Sequence, residues 1–323
     1  MIPFAVIGID HRHCYTMAAH IQSAGGRLVG WATDGEPGTL DGWVRRFPDA
    51  PRRAAADLLT DPEVALILTA AVPCDRPGIA VAALEAGKHV LSDKPGALSR
   101  AQLDEIRAAC TRADRHWAVD FSERFEVPGV TRADALVRDG AIGEVLDVTL
   151  LAPHRLNAAT RPDWFWDRGR NGGILADIGS HQIDQVLHFA GTDEAQIVLA
   201  EADCLLRPPF QDRGRIALRA GRATGTILLN WFTPDGLPTW GDGRLFLTGT
   251  RGTIELRKYV DPAGQPGTDH VILVNDAPPE RIDAAGDPLP FFSAFLCGLD
   301  GPLGPHPFKV TELAIRAQEM AEC

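Results

Sequence analysis

The chain has 323 residues, 45% hydrophobic and 23% charged, with 32 basic against 43 acidic side chains and a net charge of −11. That length exceeds one ordinary core and predicts two domains. The negative balance, with no Lys/Arg-rich stripe, argues against a nucleic-acid binder, and no apolar run approaches the roughly 20 residues that span a bilayer. Residues 1–8 read as a strand rather than a signal peptide, so a cytoplasmic address is expected. Cysteines 14, 74, 110, 204, 297 and 323 are scattered with no CxxC pair. They read as free thiols, and no metal site is expected.

Over the first 120 residues or so, short apolar runs alternate with helix-length segments. Residues 4–8 form a strand that leads into a helix through Ile21, and 27–32 form a second strand. A third, 64–71, is entered through Asp61-Pro62. A helix over 79–86 stops at Gly87. Residues 89–91 are a fourth strand, 101–113 a helix capped by Ser99, and 117–121 a fifth strand. This alternation predicts a parallel, doubly wound sheet covered on both faces. Beyond residue 125 the pattern changes. A helix over 130–139 ends at Gly140. Alternating runs follow at 145–152, 195–206, 215–218, 223–233, 244–249, 252–257 and 270–274, with a helix over 176–189 inserted early and a last one over 307–321. The expected division is an α/β Rossmann-type domain over 1–122 and an α+β domain over 123–323. The second has a large open, mostly antiparallel sheet, and its last helix returns toward the first domain.

Two pieces carry chemistry. Asp177 and His181 are four apart and share one helix face, which Asp184 and His188 continue. Ile178, Ile183, Val186 and Leu187 between them are apolar. Upstream, Ser92-Asp93-Lys94-Pro95 follows a strand directly. A carboxylate, an imidazole and an ammonium together suit proton transfer coupled to redox at carbon.

After the first strand a phosphate-binding turn is expected, because backbone N–H groups and a helix N-terminus favour an anion there. The chain reads Gly8-Ile9-Asp10-His11-Arg12-His13, keeping only the first glycine of G-x-G-x-x-G. Asp10 stands where the backbone should approach a pyrophosphate, unless it merely caps the helix. His13 could donate to a phosphate oxygen. The second strand ends at Thr33-Asp34. A carboxylate here accepts from a ribose 2′-hydroxyl and repels a 2′-phosphate, which favours NAD over NADP. No Arg or Lys follows until Arg45.

Ala82-Ala83-Leu84-Glu85-Ala86-Gly87-Lys88-His89-Val90, then Asp93-Lys94-Pro95, then Gly172-Gly173 through His181 resemble the glucose–fructose oxidoreductase / inositol 2-dehydrogenase / rhizopine-catabolism oxidoreductase family (Gfo/Idh/MocA). The resemblance covers nearly the whole chain. It implies a Rossmann domain, a second domain with a large open sheet, and oxidation or reduction of a sugar, inositol or related polyol by a nicotinamide cofactor. It assigns Lys94 to the reacting oxygen, His181 to the hydroxyl proton, and Asp177 to orienting the imidazole or binding an adjacent hydroxyl. It also implies a cis Lys94–Pro95 bond. The dinucleotide would lie across Gly8, Ile9, Asp10, His13, Thr33, Asp34, Ala71, Val72, Pro73, Arg76, Asp93 and Lys94. The chain departs from the family in its glycine turn and in having Asp93 for the usual Glu. It also has Ala71-Val72-Pro73-Cys74-Asp75-Arg76 where the family has Thr-Pro-Asn-x-x-His. Arg76 thus replaces a cofactor-contacting histidine, and could bind an acidic group or lie in solvent.

His154, Arg155, Asn157 and Trp164 are the further substrate candidates, since aromatic faces and paired donors and acceptors suit a polyhydroxylated ring. Apolar, β-branched residues at 145–149 and 223–229 predict a homodimer or homotetramer built through the C-terminal sheet. Two other outcomes stay open. One is a lyase, glycosidase or hydratase that uses tightly bound NAD transiently. The other is a non-catalytic dinucleotide- or sugar-binding regulator.

Overall fold

The computed structural model describes residues 1–301 and 304–322. The chain divides into two compact units. The first holds residues 1–120, 162–172 and 290–311, and the second holds 121–161, 173–289 and 312–323.

In the first unit, β1 (Ile2–Ile7), β2 (Gly26–Ala32), β3 (Leu66–Thr69), β4 (His89–Asp93) and β5 (Trp117–Asp120) form one sheet in the order β2-β1-β3-β4-β5. Every pairing is parallel. Phe4–Ile7 and all of β3 are buried, as strands covered on both faces must be. Helices His13–Ser23, Arg76–Glu85 and Arg100–Ala113 make the crossovers. Ser99 caps the last of these in a full capping box, its Oγ accepting from Gln102 N at 3.2 Å while Gln102 Oε1 accepts from Ser99 N at 3.1 Å. The chain leaves β1 for β2 on one side, and β3 lies on the other. The crevice at the carboxyl ends of β1 and β3 is therefore the switch point where such sheets take ligands. Phe308, from the helix His306–Ala321, packs its ring 4.8 Å from that of Trp117.

In the second unit, β6 (Val145–Pro153), β7 (Ala195–Asp203), β8 (Arg213–Ala220), β9 (Ala223–Asn230), β10 (Arg244–Gly249), β11 (Gly252–Arg257), β12 (His270–Val274) and β13 (Glu280–Asp283) form a sheet in the order β13-β12-β11-β10-β6-β9-β8-β7. All neighbours are antiparallel except the central pair β6–β9. Helix Ile174–Ala190 covers one face. At Gly225 on β9 a Cβ would meet Val186 at 2.7 Å, so only glycine admits the helix this closely. Along β9 the inward Ala223, Ile227 and Leu229 are buried, while Thr224, Thr226 and Leu228 face outward and are exposed.

Several boundaries differ from expectation. The strand expected over 64–71 is only Leu66–Thr69, and the one expected over 215–218 extends to Arg213–Ala220. β13 and the helices Leu40–Arg46, Ala55–Thr60 and Pro290–Cys297 had no clear periodic signal. Cys14, Cys74, Cys110, Cys204 and Cys297 are free thiols, and Cys323 lies outside the described residues. Among those residues no helix is long and apolar enough to cross a membrane.

Candidate functional site

In the first unit the candidate residues gather at the carboxyl edge of the parallel sheet. Gly8 takes φ +83°, and a Cβ there would strike Ala71 at 2.4 Å, so only glycine lets the two chains pass this closely. The turn is pinned by Gly8 N donating to Ala32 O at 2.8 Å and His11 N donating to Ala70 O at 2.8 Å. Helix His13–Ser23 then starts with no side-chain cap and no acid in its first turn. Asp10 does not cap it. The helix thus points the positive end of its dipole at the crevice with no side-chain acid upon it. Burial, opposed by backbone hydrogen bonding and the charge of Arg76, raises the Asp10 pKa from its ordinary value. The missing glycines have become side chains, but the anion-binding terminus survives. These residues fit a dinucleotide.

The imidazoles of His11 and His13 turn to one carboxylate, that of Asp93. His13 Nδ1 lies 2.8 Å from Oδ1. His11 Nδ1 lies 2.8 Å from Oδ2, an ion-pair distance. Asp93 is fully buried, and so is its third partner Arg76, whose Nη2 donates to Oδ2 at 2.9 Å. Arg76 also donates from Nε to Ala71 O at 2.8 Å and from Nη1 to the carbonyls of Lys94 and Pro95. It is neither a solvent arginine nor free for an acidic ligand, as two readings of the sequence had it. One guanidinium ties the ends of β3 and β4 together. Burial works to raise Asp93, but Arg76, His13 and His11 hold it well below the usual range. The Lys94–Pro95 bond is cis, and Lys94 is buried. Among the described residues, His11, His13 and Asp93 are the one cluster with ligand atoms close enough for a metal. Arg76 already neutralises Asp93, and Lys94 adds a second positive charge beside His11, so the field disfavours a cation.

Ala71, Val72 and Pro73 are buried behind the crevice, whereas Asp34 is exposed just past β2. Here the sequence missed a neighbour. An isolated bridge pairs Trp31 with Arg52, and Arg52 Nη2 donates to the carbonyls of Thr33 (3.1 Å) and Gly35 (3.2 Å). A cation therefore does flank Asp34, brought there by tertiary pairing rather than chain proximity.

Gly172 closes a segment of the first unit and Gly173 opens one of the second; both take positive φ, and helix Ile174–Ala190 follows. Asp177 lies half-buried in its first turn, where the helix dipole favours a carboxylate. His181 is 2% exposed. Asp184 accepts two hydrogen bonds from Arg124, both at 2.6 Å, and His188 Nε2 lies 3.0 Å from Asp134 Oδ1. The lower part of the stripe is thus anchored, and the upper part carries the titratable pair. His154 follows β6 directly, with its ring 5.3 Å from that of Trp231 and 4.5 Å from that of Trp240. Arg155 spends its guanidinium on the carbonyls of Pro234 and Leu237, holding the 234–237 loop. Asn157 is exposed, with φ +49° at the start of a 3₁₀ turn, and shapes the chain there. Trp164 belongs to the first unit, edge-on to Phe165.

Sequence reading missed Glu123 and Lys258. Glu123 is 4% exposed and Lys258 1%. Gln182 Nε2 donates to Glu123 Oε2 at 2.8 Å. Lys258 Nζ donates to Glu123 O at 3.0 Å and Gln185 Oε1 at 2.7 Å. His154 Nε2 approaches Glu123 Oε1 at 3.4 Å. The available signal was position: an acid three residues past the end of β5, between two phenylalanines.

Comparison with known proteins agrees with this architecture. Residues 41–121 match the model of an oxidoreductase family with an NAD-binding Rossmann fold, and residues 130–255 match the GFO/IDH/MocA C-terminal domain. The chain belongs to the GFO/IDH/MocA oxidoreductase family. A crystal structure of an oxidoreductase-like protein from Erwinia carotovora atroseptica is 38% identical, with TM-score 0.94 over 99% of both chains. A levoglucosan dehydrogenase solved with NADH is 18% identical, with TM-score 0.79 over 99% of this chain and 97% of that one, a likeness of fold. D-glucoside 3-dehydrogenase of Escherichia coli is 31% identical over 37% of this chain and 34% of its own. The chain spans 63%, 47% and 45% of the first curated relatives it matches.

Proposed function

We propose that this chain is an NAD(H)-dependent oxidoreductase acting on a carbinol carbon of a sugar, inositol or related polyol. The observation that carries this reading is His181, buried on the helix face between Asp177 and the Arg124–Asp184 pair, in a chain that also holds a buried Lys94 in its Asp-Lys-Pro turn. Gly8, the uncapped start of helix His13–Ser23 and Asp34 would hold the dinucleotide, its phosphates at the helix terminus and its ribose at Asp34. When bound, the nicotinamide supplies the hydride acceptor or donor.

The residues of the chain supply the proton chemistry. The Lys94 ammonium would donate to the oxygen on the reacting carbon and stabilise the charge that develops there. His181 would accept the hydroxyl proton during oxidation and return it during reduction, and Asp177 would orient the imidazole or bind an adjacent hydroxyl. The relatives' names support sugars as the substrate class. The test is a titration of NAD(H) and NADP(H) by fluorescence, followed by a polyol panel monitored at the nicotinamide absorbance. Turnover with at least one polyol and steady NADH release support the reading. Dinucleotide binding without turnover on any polyol overturns it.

A further inference from the structure

Four buried side chains, two of them on the helix that carries His181, close a ring of polar contacts. Lys258 Nζ donates to Gln185 Oε1 at 2.7 Å, Gln185 Nε2 donates to Gln182 Oε1 at 3.2 Å, and Gln182 Nε2 donates to Glu123 Oε2 at 2.8 Å. Lys258 Nζ completes the ring, donating to the backbone carbonyl of Glu123 at 3.0 Å and lying 3.6 Å from its Oε2. None of the four residues is more than 4% exposed. An ammonium only donates and a carboxylate only accepts, so the two charged members fix which way both amides face. The Gln185 amide nitrogen is thereby turned back on the helix, where it also donates to the backbone carbonyl of His181 at 3.0 Å.

Stability alone explains such a ring poorly. Burying a lysine and a glutamate costs desolvation, and an apolar set of like volume is often no less stable. What directional bonds add is a unique arrangement. Apolar contacts hold helix Ile174–Ala190 to the sheet without direction, so they resist its rotation only weakly. About 3.6 residues per turn place His181, Gln182 and Gln185 within an arc of roughly 100°. A rotation of the helix that moved the imidazole would therefore break the ring. Lys258 is itself held in place, its N donating to Gly243 O at 3.1 Å and its carbonyl accepting from Asp269 N at 2.9 Å. We propose that Lys258 is a positioning residue, which through Gln185 and Gln182 sets the rotation of this helix and so the place of the His181 imidazole. The catalytic consequence rests on the proposed function; the ring and its hold on the helix do not.

The experiment compares wild type with Lys258→Met and Gln185→Met, the second of which leaves Lys258 and Glu123 paired. In wild type the side-chain NH₂ groups of Gln182 and Gln185, followed by ¹H–¹⁵N NMR in deuterated water, should keep their protons for hours. Exchange within minutes shows the ring open and overturns the proposal without any variant or any turnover. In both variants, kcat per folded molecule with a competent polyol should fall about 10- to 100-fold, the scale of loss when a reacting group is misplaced by about an ångström. NADH affinity by fluorescence should stay at the wild-type value. A wild-type kcat in the folded variants, whatever their loss of stability, leaves Lys258 a structural role only and overturns the proposal. A parallel loss of NADH affinity is general loosening and overturns it too. Should Lys258→Met not fold, Gln185→Met decides. Absence of turnover in wild type counts against the proposed function instead and leaves amide exchange to decide: the Gln182 NH₂ should lose its protection in either variant, and its retention overturns the hold of Lys258 on the helix.

Discussion

Arg76 Nη2 lies 2.9 Å from Asp93 Oδ2, with both side chains 1% exposed or less. The pair joins the chain after β3 to the end of β4 and, through Asp93, to the histidines after β1. Replacing the guanidinium leaves a buried carboxylate without its main counter-charge. Arg76→Met is expected to cost about 3–5 kcal/mol, the range for breaking one side of a buried ion pair. Urea denaturation measures this directly, and a loss below about 1 kcal/mol would show the histidines suffice.

Lys94→Ala is expected to abolish turnover while leaving NADH affinity nearly unchanged, because a group acting on the reacting oxygen contributes chiefly in the transition state. His181→Ala should slow the same reaction about 10²- to 10⁴-fold. Wild-type rates in His181→Ala, with a competent polyol, would remove the imidazole from the proton path.

On the proposed function, Asp34 and Arg52 would oppose one another at the ribose. Asp34→Ala should weaken NADH binding more than NADPH binding, since it removes a 2′-hydroxyl acceptor and a 2′-phosphate repeller together. Arg52→Ala should weaken NADPH more than NADH. Fluorescence titration of the two variants with both dinucleotides reads this as a crossed pattern; parallel losses would place the ribose elsewhere.

Asp261 accepts from Ala263 N and from Arg281 and Arg257, and these bonds outweigh burial to hold it at about 2, below its ordinary 3.8. A group depressed in the folded state binds protons more readily when unfolded. Its contribution is therefore present above the ordinary value and is lost as pH falls through the folded value. Asp261→Asn should flatten the fall in stability between about pH 4 and pH 2. Denaturant midpoints across that interval test it, and an unchanged slope would show that other carboxylates set the acid limb.

Val198 is 58% exposed and Leu228 40%, on β7 and β9. Exposed apolar side chains on a sheet face are of the kind that association covers. We expect a homodimer or homotetramer through this sheet, with Leu228→Glu shifting the mass seen by light scattering toward monomer. A wild-type monomer at micromolar concentration would contradict the expectation.

The parallel sheet was legible because strands covered on both faces leave uninterrupted apolar runs such as Phe4–Ile7 and Leu66–Thr69. The stripe from Asp177 to His188 was legible because helical period alone aligns it. Long-range pairings were not. Nothing local signals that Arg52 reaches Thr33, that Arg76 lies under Lys94, or that Lys258 meets Glu123 across 135 residues. Arg52, Glu123 and Lys258 went unnoticed, and Arg76 was assigned to the cofactor, an acidic group or solvent, since a charged residue in sequence carries no mark of whether a partner will bury it.

β6 and β9 run parallel in a sheet otherwise built of antiparallel neighbours, with Pro153 level with Asn230. Both strands therefore empty at the same rim. The segments that follow, opening with His154 and with Trp231, are knitted there by His154 N donating to Asn230 O and Thr233 N donating to His154 O. Two stretches of chain almost eighty residues apart thus share one lip. Insertions or swaps in either could reshape what this lip admits while the strands beneath keep their register, which gives the fold two independent handles on a single opening.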